Sequence, residues 1–453
     1  MDSAATAAAE TFVEDTYLKS RFGPIEFFRR ARTDQLSLML PELFDRNMTY
    51  SRLLFLDNFV LNKPEYIEHV LLTNQANYRK SPFLRNILGP LLGEGLLISE
   101  GEFWRRQRRI AAPAFHSKRV AGFVAAMASC TETMLGRWHT TAEPFDIASE
   151  MMALTLNIIA RTMFSRDVSG DVEAVRRLTD IVVRLPPSLL DLFGFPQWLP
   201  RRRPAAYRRA IAEFEALVAR FLAERADGVD RGDLLSILLA VRDPETGQGM
   251  SAKQVRDEIL TIFLAGHETT ANTLSWTWYL VARHPEVESR LHEEVDRVLG
   301  GHLPSAADLA DLKWTRMVIE EAMRLYPPAH TISRTAIGED RIGGVRVRPG
   351  ALITMSPYLT HRNPKLWPEP ERFDPERFAP QAAAQRHRFA YLPFGGGPRI
   401  CIGNSFAMAE AQVIVAALAQ RYRFRLAPGH TVEPIGLITL RPKNGIWVTL
   451  ERR

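Results

Sequence analysis

The stretch Phe394-Gly395-Gly396-Gly397-Pro398-Arg399-Ile400-Cys401-Ile402-Gly403 is a glycine-dense loop around one cysteine, and a proline-free helical pattern follows it from Asn404 to Gln420. That order predicts Cys401 at a helix N-terminus. There, free N–H groups and the positive end of the helix dipole lower a thiol's pKa and favour the thiolate, the form that binds a metal. Glycines ahead of it let the backbone pass close to a flat ligand, and Gly403 lets the chain turn tightly beneath the sulfur. Taken alone, the loop admits three readings: a metal ligand, a cysteine nucleophile at a helix start, and a small buried hydrophobe beside a glycine turn.

Upstream, Ser251 and Gln254 form a capping-box pattern, and no proline follows until Pro285. At ~1.5 Å per residue this predicts ~50 Å of helix. Its middle, Ile259 to Ala265, is apolar on every side, so the helix must run buried through the centre of the fold. Ala265-Gly266-His267-Glu268-Thr269-Thr270 then places a glycine and two ionisable groups inside it, a breach of local rules that marks function. Thr269 can return a hydrogen bond to the carbonyl of Ala265, four residues back, which loosens the helix and opens a notch. His267 reads as packing or capping.

Long proline-free stretches between Glu102 and Gly300 are helical in pattern. Imperfect alternation from Met48 to Leu61 suggests a small hairpin turning near Leu56-Asp57-Asn58, and a second strand-rich patch runs from Thr335 to Met355, punctuated at Gly338, Gly343-Gly344 and Pro349-Gly350. The pattern predicts one domain over residues 1–453, mainly α with small β-sheets (α+β), with residues 1–20 a flexible N-terminus. Arg184 to Pro204 is broken by prolines yet carries Phe193, Phe195 and Trp198, so it reads as a lid loop, with a membrane-touching loop as the rival. Proline-rich Asn363 to Pro380 reads as an irregular folded connection.

The 453 residues include 58 Lys and Arg against 52 Asp and Glu, a net charge of +6 that favours an acidic partner somewhere on the surface. Nucleic acid does not fit that role, because Arg105-Arg106-Gln107-Arg108-Arg109 and Arg201-Arg202-Arg203 lie apart without interleaved aromatics. The two cysteines, Cys130 and Cys401, sit in unlike contexts and argue against a disulfide framework. Asp2, Glu10, Glu14 and Asp15 are foreign to a signal peptide, and no apolar run reaches the ~18 residues that span a bilayer. A cytoplasmic protein without a transmembrane anchor, from a bacterial source, is the expectation.

The cysteine loop matches Phe-x-x-Gly-x-Arg-x-Cys-x-Gly at every fixed position and so resembles the cytochrome P-450 family. The resemblance implies a haem b cofactor (iron protoporphyrin IX) held between the long central helix and the cysteine loop, with Cys401 as the iron ligand. Phe394, Gly395 and Gly403 would cradle it on one side, and Ala265 and Gly266 would border it on the other. Trp104 and Arg108 resemble the family's Trp-x-x-x-Arg, and with Arg334 and Arg399 they would hold the two haem carboxylates. Arg105, Arg106 and Arg109 are either a solvated helix face or a docking patch for an electron donor. Glu321 and Arg324 in Glu321-Ala322-Met323-Arg324, with Arg377, resemble the family's Glu-x-x-Arg pair and its partner arginine, a structural lock. Glu268-Thr269 resembles its acid-alcohol pair, a relay for the two protons that dioxygen cleavage consumes. Positions resembling substrate walls are Phe83, Leu84, Ile87, Leu88, Leu264, Ala265, Thr331, Ile332, Leu437 and Ile438.

The same resemblance implies an oxygenase that takes up two electrons, activates dioxygen and hydroxylates a largely apolar molecule: a fatty acid, terpenoid, steroid or aromatic. No flavin or nicotinamide region follows the last strand pattern, so the expected donor is a separate ferredoxin or flavodoxin. A peroxide-driven peroxygenase and a non-catalytic haem sensor are the rivals, and the presence of Glu268 and Thr269 argues against both.

Overall fold

A computed structural model describes residues 24–53, 56–138, 143–165, 175, 178–181, 188–192, 195, 199, 203–225 and 229–453. Residues 1–20, and Phe193 and Trp198 of the lid reading, lie outside them. The longer helices are α1 (Pro82–Leu92), α2 (Gly101–Ala111), α3 (Ser117–Leu135), α4 (Ile147–Phe164), α5 (Ala205–Ala223), α6 (Ala252–Arg283), α7 (Pro285–Leu299), α8 (Lys313–Leu325) and α9 (Asn404–Ala419).

α6 starts where the sequence places it. The Ser251 hydroxyl accepts from the Gln254 N–H, and the Gln254 carboxamide accepts from the Ser251 N–H at 2.7 Å. It runs 32 residues, to Arg283, and α7 takes over at Pro285. Ile259, Leu260, Leu274 and Trp276 are fully buried, because α4, α8 and α9 pack around this helix. Thr269, Thr270, Thr273, Ser275 and Thr277 each return a side-chain hydrogen bond to the carbonyl four residues back. Such bonds weaken the helical ladder they lean on, and here they are concentrated just past the middle.

The main sheet runs β1 (Met48–Leu53), β2 (Leu56–Leu61), β8 (Leu352–Met355), β5 (Ile332–Ala336), β3 (Tyr78–Lys80) in spatial order. The first hairpin is present, but Leu53 pairs with Leu56, so Leu56-Asp57-Asn58 opens the second strand and is not the turn. Asp57 and Asn58 look like turn residues, yet their polarity is used across the sheet. Asp57 accepts from the Tyr50 hydroxyl at 2.8 Å, and Asn58 meets Ser51 at 3.4 Å and Thr354 at 2.9 Å. The second strand-rich patch starts three residues earlier than its sequence signal, at Ile332, and continues through β6 (Asp340–Ile342) and β7 (Val345–Val347). Small sheets of β4 (Phe145–Asp146), β12 (Trp447–Arg452) and β9 (Tyr422–Leu426), and of β10 (Pro434–Gly436) and β11 (Leu440–Pro442), complete the fold. The proline-rich connection is irregular but folded, with Trp367, Phe373 and Phe378 buried. Among the described residues, no helix is long and apolar enough to cross a membrane.

Candidate functional site

Cys401 precedes Gly403, the N-cap of α9, by two residues. Its N–H donates to the Phe394 carbonyl at 2.9 Å, which closes the glycine loop, and the Gly403 N–H donates toward its sulfur. Gly397, at φ +66°, has no alternative: a Cβ there would lie 1.8 Å from the carbonyl oxygen of Leu71. By surface area Cys401 is exposed, yet burial pushes its thiol pKa up, against the Gly403 N–H and Arg108, which pull it down. Only a side chain on the wall of an internal space satisfies both. The helix terminus alone therefore does not produce the thiolate that the sequence suggests, because lost hydration outweighs the two favourable groups. A coordinated metal reverses that balance, since its charge deprotonates a bound thiol outright.

The middle of α6 borders an internal space as well. Ala265 is exposed and Leu264, Gly266 and Thr269 are partly accessible, while Phe263, His267, Glu268 and Thr270 are buried. The Thr269 hydroxyl donates to the Ala265 carbonyl at 2.8 Å. A Cβ on Gly266 would meet Ile159 Cδ1 at 2.7 Å, so this glycine lets α4 approach α6 at the notch. His267 is a core residue, with Nδ1 at 2.7 Å from the Phe263 carbonyl and its pKa lowered by burial. Glu268 turns away from Thr269, as successive helical residues must, by about 100°. It accepts from the Thr439 hydroxyl and from Arg441 Nε at 2.9 Å, and Arg441 reaches on to Asp180 at 2.8 Å.

Positive charge collects beside the cysteine loop. The Arg399 and Arg108 guanidiniums lie 4.2 and 5.9 Å from the buried Trp104 ring. Arg399 pairs with Glu100 and donates to the Ser99 carbonyl at 3.2 Å. The Arg334 guanidinium forms no ion pair among the described residues; its one side-chain hydrogen bond there goes to the neighbouring Ser333 carbonyl at 2.9 Å. Burial, with Arg399 nearby, pushes Arg334 down to about 10, and burial with Arg399 and Arg334 pushes Lys80 down to about 7. Arg108 is likewise lowered by burial. Lys80, Arg108, Arg334 and Arg399 outnumber the carboxylates that act on them, Glu100 and Glu258, and leave positive charge that a buried dianion would neutralise. A thiol on a glycine cradle beside such a cluster fits a flat, iron-bearing group with two carboxylates.

A family model described as cytochrome P450, written here cytochrome P-450, matches residues 22–448. The chain belongs to the cytochrome P-450 family. It is 40% identical over 375 residues to cyclooctatin synthase of Streptomyces melanosporofaciens, covering 82% of this chain and 81% of that protein. It is 39% identical over 372 residues to cyclooctat-9-en-7-ol 5-monooxygenase of the same organism, covering 82% and 80%. The solved haem domain of cytochrome P-450DA superposes with a TM-score of 0.82 at 26% identity, covering 96% of this chain and 95% of that one. This cytochrome P-450 is a monooxygenase with a haem cofactor.

Away from the cofactor, Arg324 places all five of its N–H donors. Two go to Glu321, at 2.6 and 2.8 Å, and three to the carbonyls of His361, Pro370 and Arg372, at 2.7 to 3.0 Å. Arg377 Nε lies 3.5 Å from Glu321, which also accepts from the Asp374 N–H at 2.9 Å. The triad thereby ties α8 to the irregular connection. Two of the three remaining arginines of α2 are engaged with the turn before α6, and the third with its own helix. Arg106 donates to the Gly249 carbonyl at 2.7 Å, Arg109 pairs with Asp243 and Glu245, and Arg105 pairs with Glu102. The first two fasten α2 to the turn before α6.

Phe83, Leu84 and Ile87 of α1 are partly accessible, whereas Leu88 is buried in the core, so the wall reading for Leu88 is not supported. Ile332 approaches the cysteine loop, its Cδ1 3.7 Å from where a Cβ on Gly395 would stand. Thr331 and Leu437 are joined through His330, which no motif marks: its Nδ1 is 3.0 Å from the Thr331 hydroxyl and its Nε2 is 2.9 Å from the Leu437 carbonyl, and Ile438 follows Leu437 in the chain. Sequence reasoning also misses Lys80, Glu100, Thr439 and Arg441. Each is a lone polar residue whose partner is distant in the chain, so no local spacing signals it.

Proposed function

We propose that this cytochrome P-450 hydroxylates a polycyclic terpenoid of low polarity, using electrons from a separate ferredoxin or flavodoxin. The observation that carries this reading is the accessible middle of α6. Ala265 is exposed in a helix otherwise buried at its centre, and the partly accessible Leu264 and Thr269 flank it, so apolar surface and one hydroxyl share the same internal space. The two Streptomyces relatives support a terpenoid, since one of them is named for oxidation of cyclooctat-9-en-7-ol.

When bound, haem ligated by Cys401 supplies the oxygen-activating chemistry. Arg108, Arg334 and Arg399 would hold its carboxylates, with Trp104 packed beneath two of those guanidiniums. Phe394, Gly395 and Gly403 would keep the backbone close to its face. Thr269 holds a hydroxyl at the notch, where it would hold and hand on a proton. Glu268, held by Thr439 and Arg441 and turned away from Thr269, would exchange a proton with that hydroxyl only through intervening water. The apolar side chains Leu84, Ile87, Ile332 and Ile438 exclude bulk water and orient the substrate.

The electron donor docks on the concavity beside the cysteine loop, a cavity of about 440 Å³ whose lining includes Arg316, Arg388, Ile400, Asn404, Met408 and Gln412. Arg316 there is paired with Glu320, which leaves Arg388 to meet an acidic partner. Bacterial relatives support a cytoplasmic setting for such a pair. Titrating the ferric protein with terpenoid alcohols, fatty acids, steroids and small aromatics tests the reading. Polycyclic terpenoids should give the high-spin absorption change at micromolar concentration; a response confined to fatty acids would contradict the substrate class.

A further inference from the structure

The segment from Pro328 to Thr331, between α8 and β5, is fastened at both ends. The Leu440 N–H donates to the Pro328 carbonyl at 2.9 Å, and the neighbouring Thr439 hydroxyl donates to Glu268 of α6. One residue past Thr331, Ile332 approaches Gly395 of the cysteine loop. Between these anchors burial alternates: Pro328 and His330 are buried, Ala329 is exposed and Thr331 is partly accessible. That alternation puts Ala329 and Thr331 on the open side, between α6 and the cysteine loop, and His330 on the core side.

His330 is held there from several directions. Its Nε2 is 2.9 Å from the Leu437 carbonyl, the Ser356 hydroxyl donates to the His330 carbonyl at 2.7 Å, and a Cβ on Gly436 would lie 3.4 Å from the ring's Cε1. Asp34 Oδ1 accepts from the N–H groups of Leu36 and Gly436, at 3.0 and 2.9 Å, and the carboxylate makes no ion pair with the ring. Burial pushes the imidazole pKa down, against the Leu437 carbonyl and Asp34, which pull it up, so the ring is neutral at neutral pH.

A neutral imidazole has one N–H and one lone pair, and the surroundings decide which nitrogen carries which. The Leu437 carbonyl can only accept, so the proton is on Nε2. Nδ1, 3.0 Å from Thr331 Oγ1, is then the acceptor, and the Thr331 hydroxyl must donate to it. With its single proton committed to His330, Thr331 has only lone pairs for the open side. Such an oxygen pairs with a donor on a ligand and offers nothing to an ether, carbonyl or carboxylate. A charged ammonium would need a carboxylate, and Glu268 is already paired with Arg441, so the fitting donor is an alcohol.

We propose that Thr331 is a specificity-determining residue that accepts a hydrogen bond from an alcohol already present on the substrate, and that His330 is the positioning residue that fixes this polarity. The substrate is then an apolar skeleton bearing a hydroxyl, which an earlier hydroxylation or a water-terminated cyclisation has to supply. The recognition rests on assigning the space beside Ala265 to a terpenoid substrate; the hydrogen-bond order through His330 does not.

One measurement reads the ring and another the ligand. Long-range 1H–15N correlation of histidine-labelled, haem-loaded protein in its diamagnetic ferrous carbon monoxide form reports the tautomer, the His330 signal being the one that moves in Thr331→Val. A ring protonated on Nε2 alone is expected; protonation on Nδ1, or no signal that moves, overturns the polarity. Ferric spin-state titrations then compare cedrol with cedryl methyl ether, and 1-dodecanol with methyl dodecyl ether. In whichever skeleton binds, the alcohol should bind roughly three- to tenfold tighter than its ether. Thr331→Val keeps the shape without the oxygen and should abolish that preference, and Thr331→Ser should retain it. His330→Phe should narrow the preference by improving the ether, because the Thr331 proton is released toward the cavity; Thr331→Val carries the comparison alone if that variant does not accumulate. Equal affinity for alcohol and ether in wild type, a preference unchanged in Thr331→Val, or no response to either alcohol overturns the recognition. A response to dodecanol but not cedrol, with the alcohol preference intact, counts against the proposed terpenoid and supports the role of Thr331.

Discussion

Glu321→Ala should leave little folded, haem-loaded protein. In the native chain the Glu321 and Arg324 side chains are wholly buried, and the carboxylate receives two of the five guanidinium donors. Removing it strands a charge that has no route to water, and breaking such a pair costs about 3–5 kcal/mol. That is a large share of the roughly 5–15 kcal/mol by which a domain is stable. The loss also reaches the connection downstream, because the Asp374 N–H and Arg377 converge on the same carboxylate. Arg324→Lys should do nearly as much damage, since an ammonium has three donors and cannot serve five directions in a plane. Urea denaturation checks both variants. A midpoint equal to wild type for either would show that the triad does not hold α8 to the connection.

Thr269→Ala should keep haem and substrate binding and lose coupling. The hydroxyl donates to the Ala265 carbonyl at 2.8 Å, at the partly accessible stretch of α6, and no other side chain of the 264–269 stretch offers a hydroxyl there. General acid–base groups contribute typically 10²–10⁴-fold. Water can replace part of this one, so product formed per electron consumed should fall about ten- to a hundredfold, the remainder appearing as peroxide or water. Measuring electrons consumed, product and peroxide together checks it. Unchanged coupling would remove Thr269 from the proton path.

These two predictions differ in how far the chain announces them. Cys401, the capping box at Ser251 and the Glu321–Arg324 spacing are local patterns, and local geometry decides them: each needs partners within a few residues or a helix of known pitch. The hairpin turn is misplaced by sequence because Asp57 and Asn58 have turn chemistry, while their partners Tyr50, Ser51 and Thr354 are set by strand register. Arg106 and Arg109 look like a solvated basic face until the fold brings Gly249 and Asp243 against them. Glu268 is the same case in the active site. Its sequence neighbour suggests a partnership with Thr269, but its carboxylate is held by Thr439 and Arg441 from a strand pair more than 170 residues away. The thiol is a further instance, since a helix terminus argues for a low pKa and the surrounding loss of water raises it.

Ligation of haem iron by Cys401 is the bond on which the whole account depends. Reducing the purified protein with dithionite under carbon monoxide reports on it directly. The predicted result is the strongly red-shifted Soret absorption of a thiolate-ligated adduct, lost in Cys401→Ala. A spectrum without that shift in the wild type, or one that survives in the alanine variant, would contradict it.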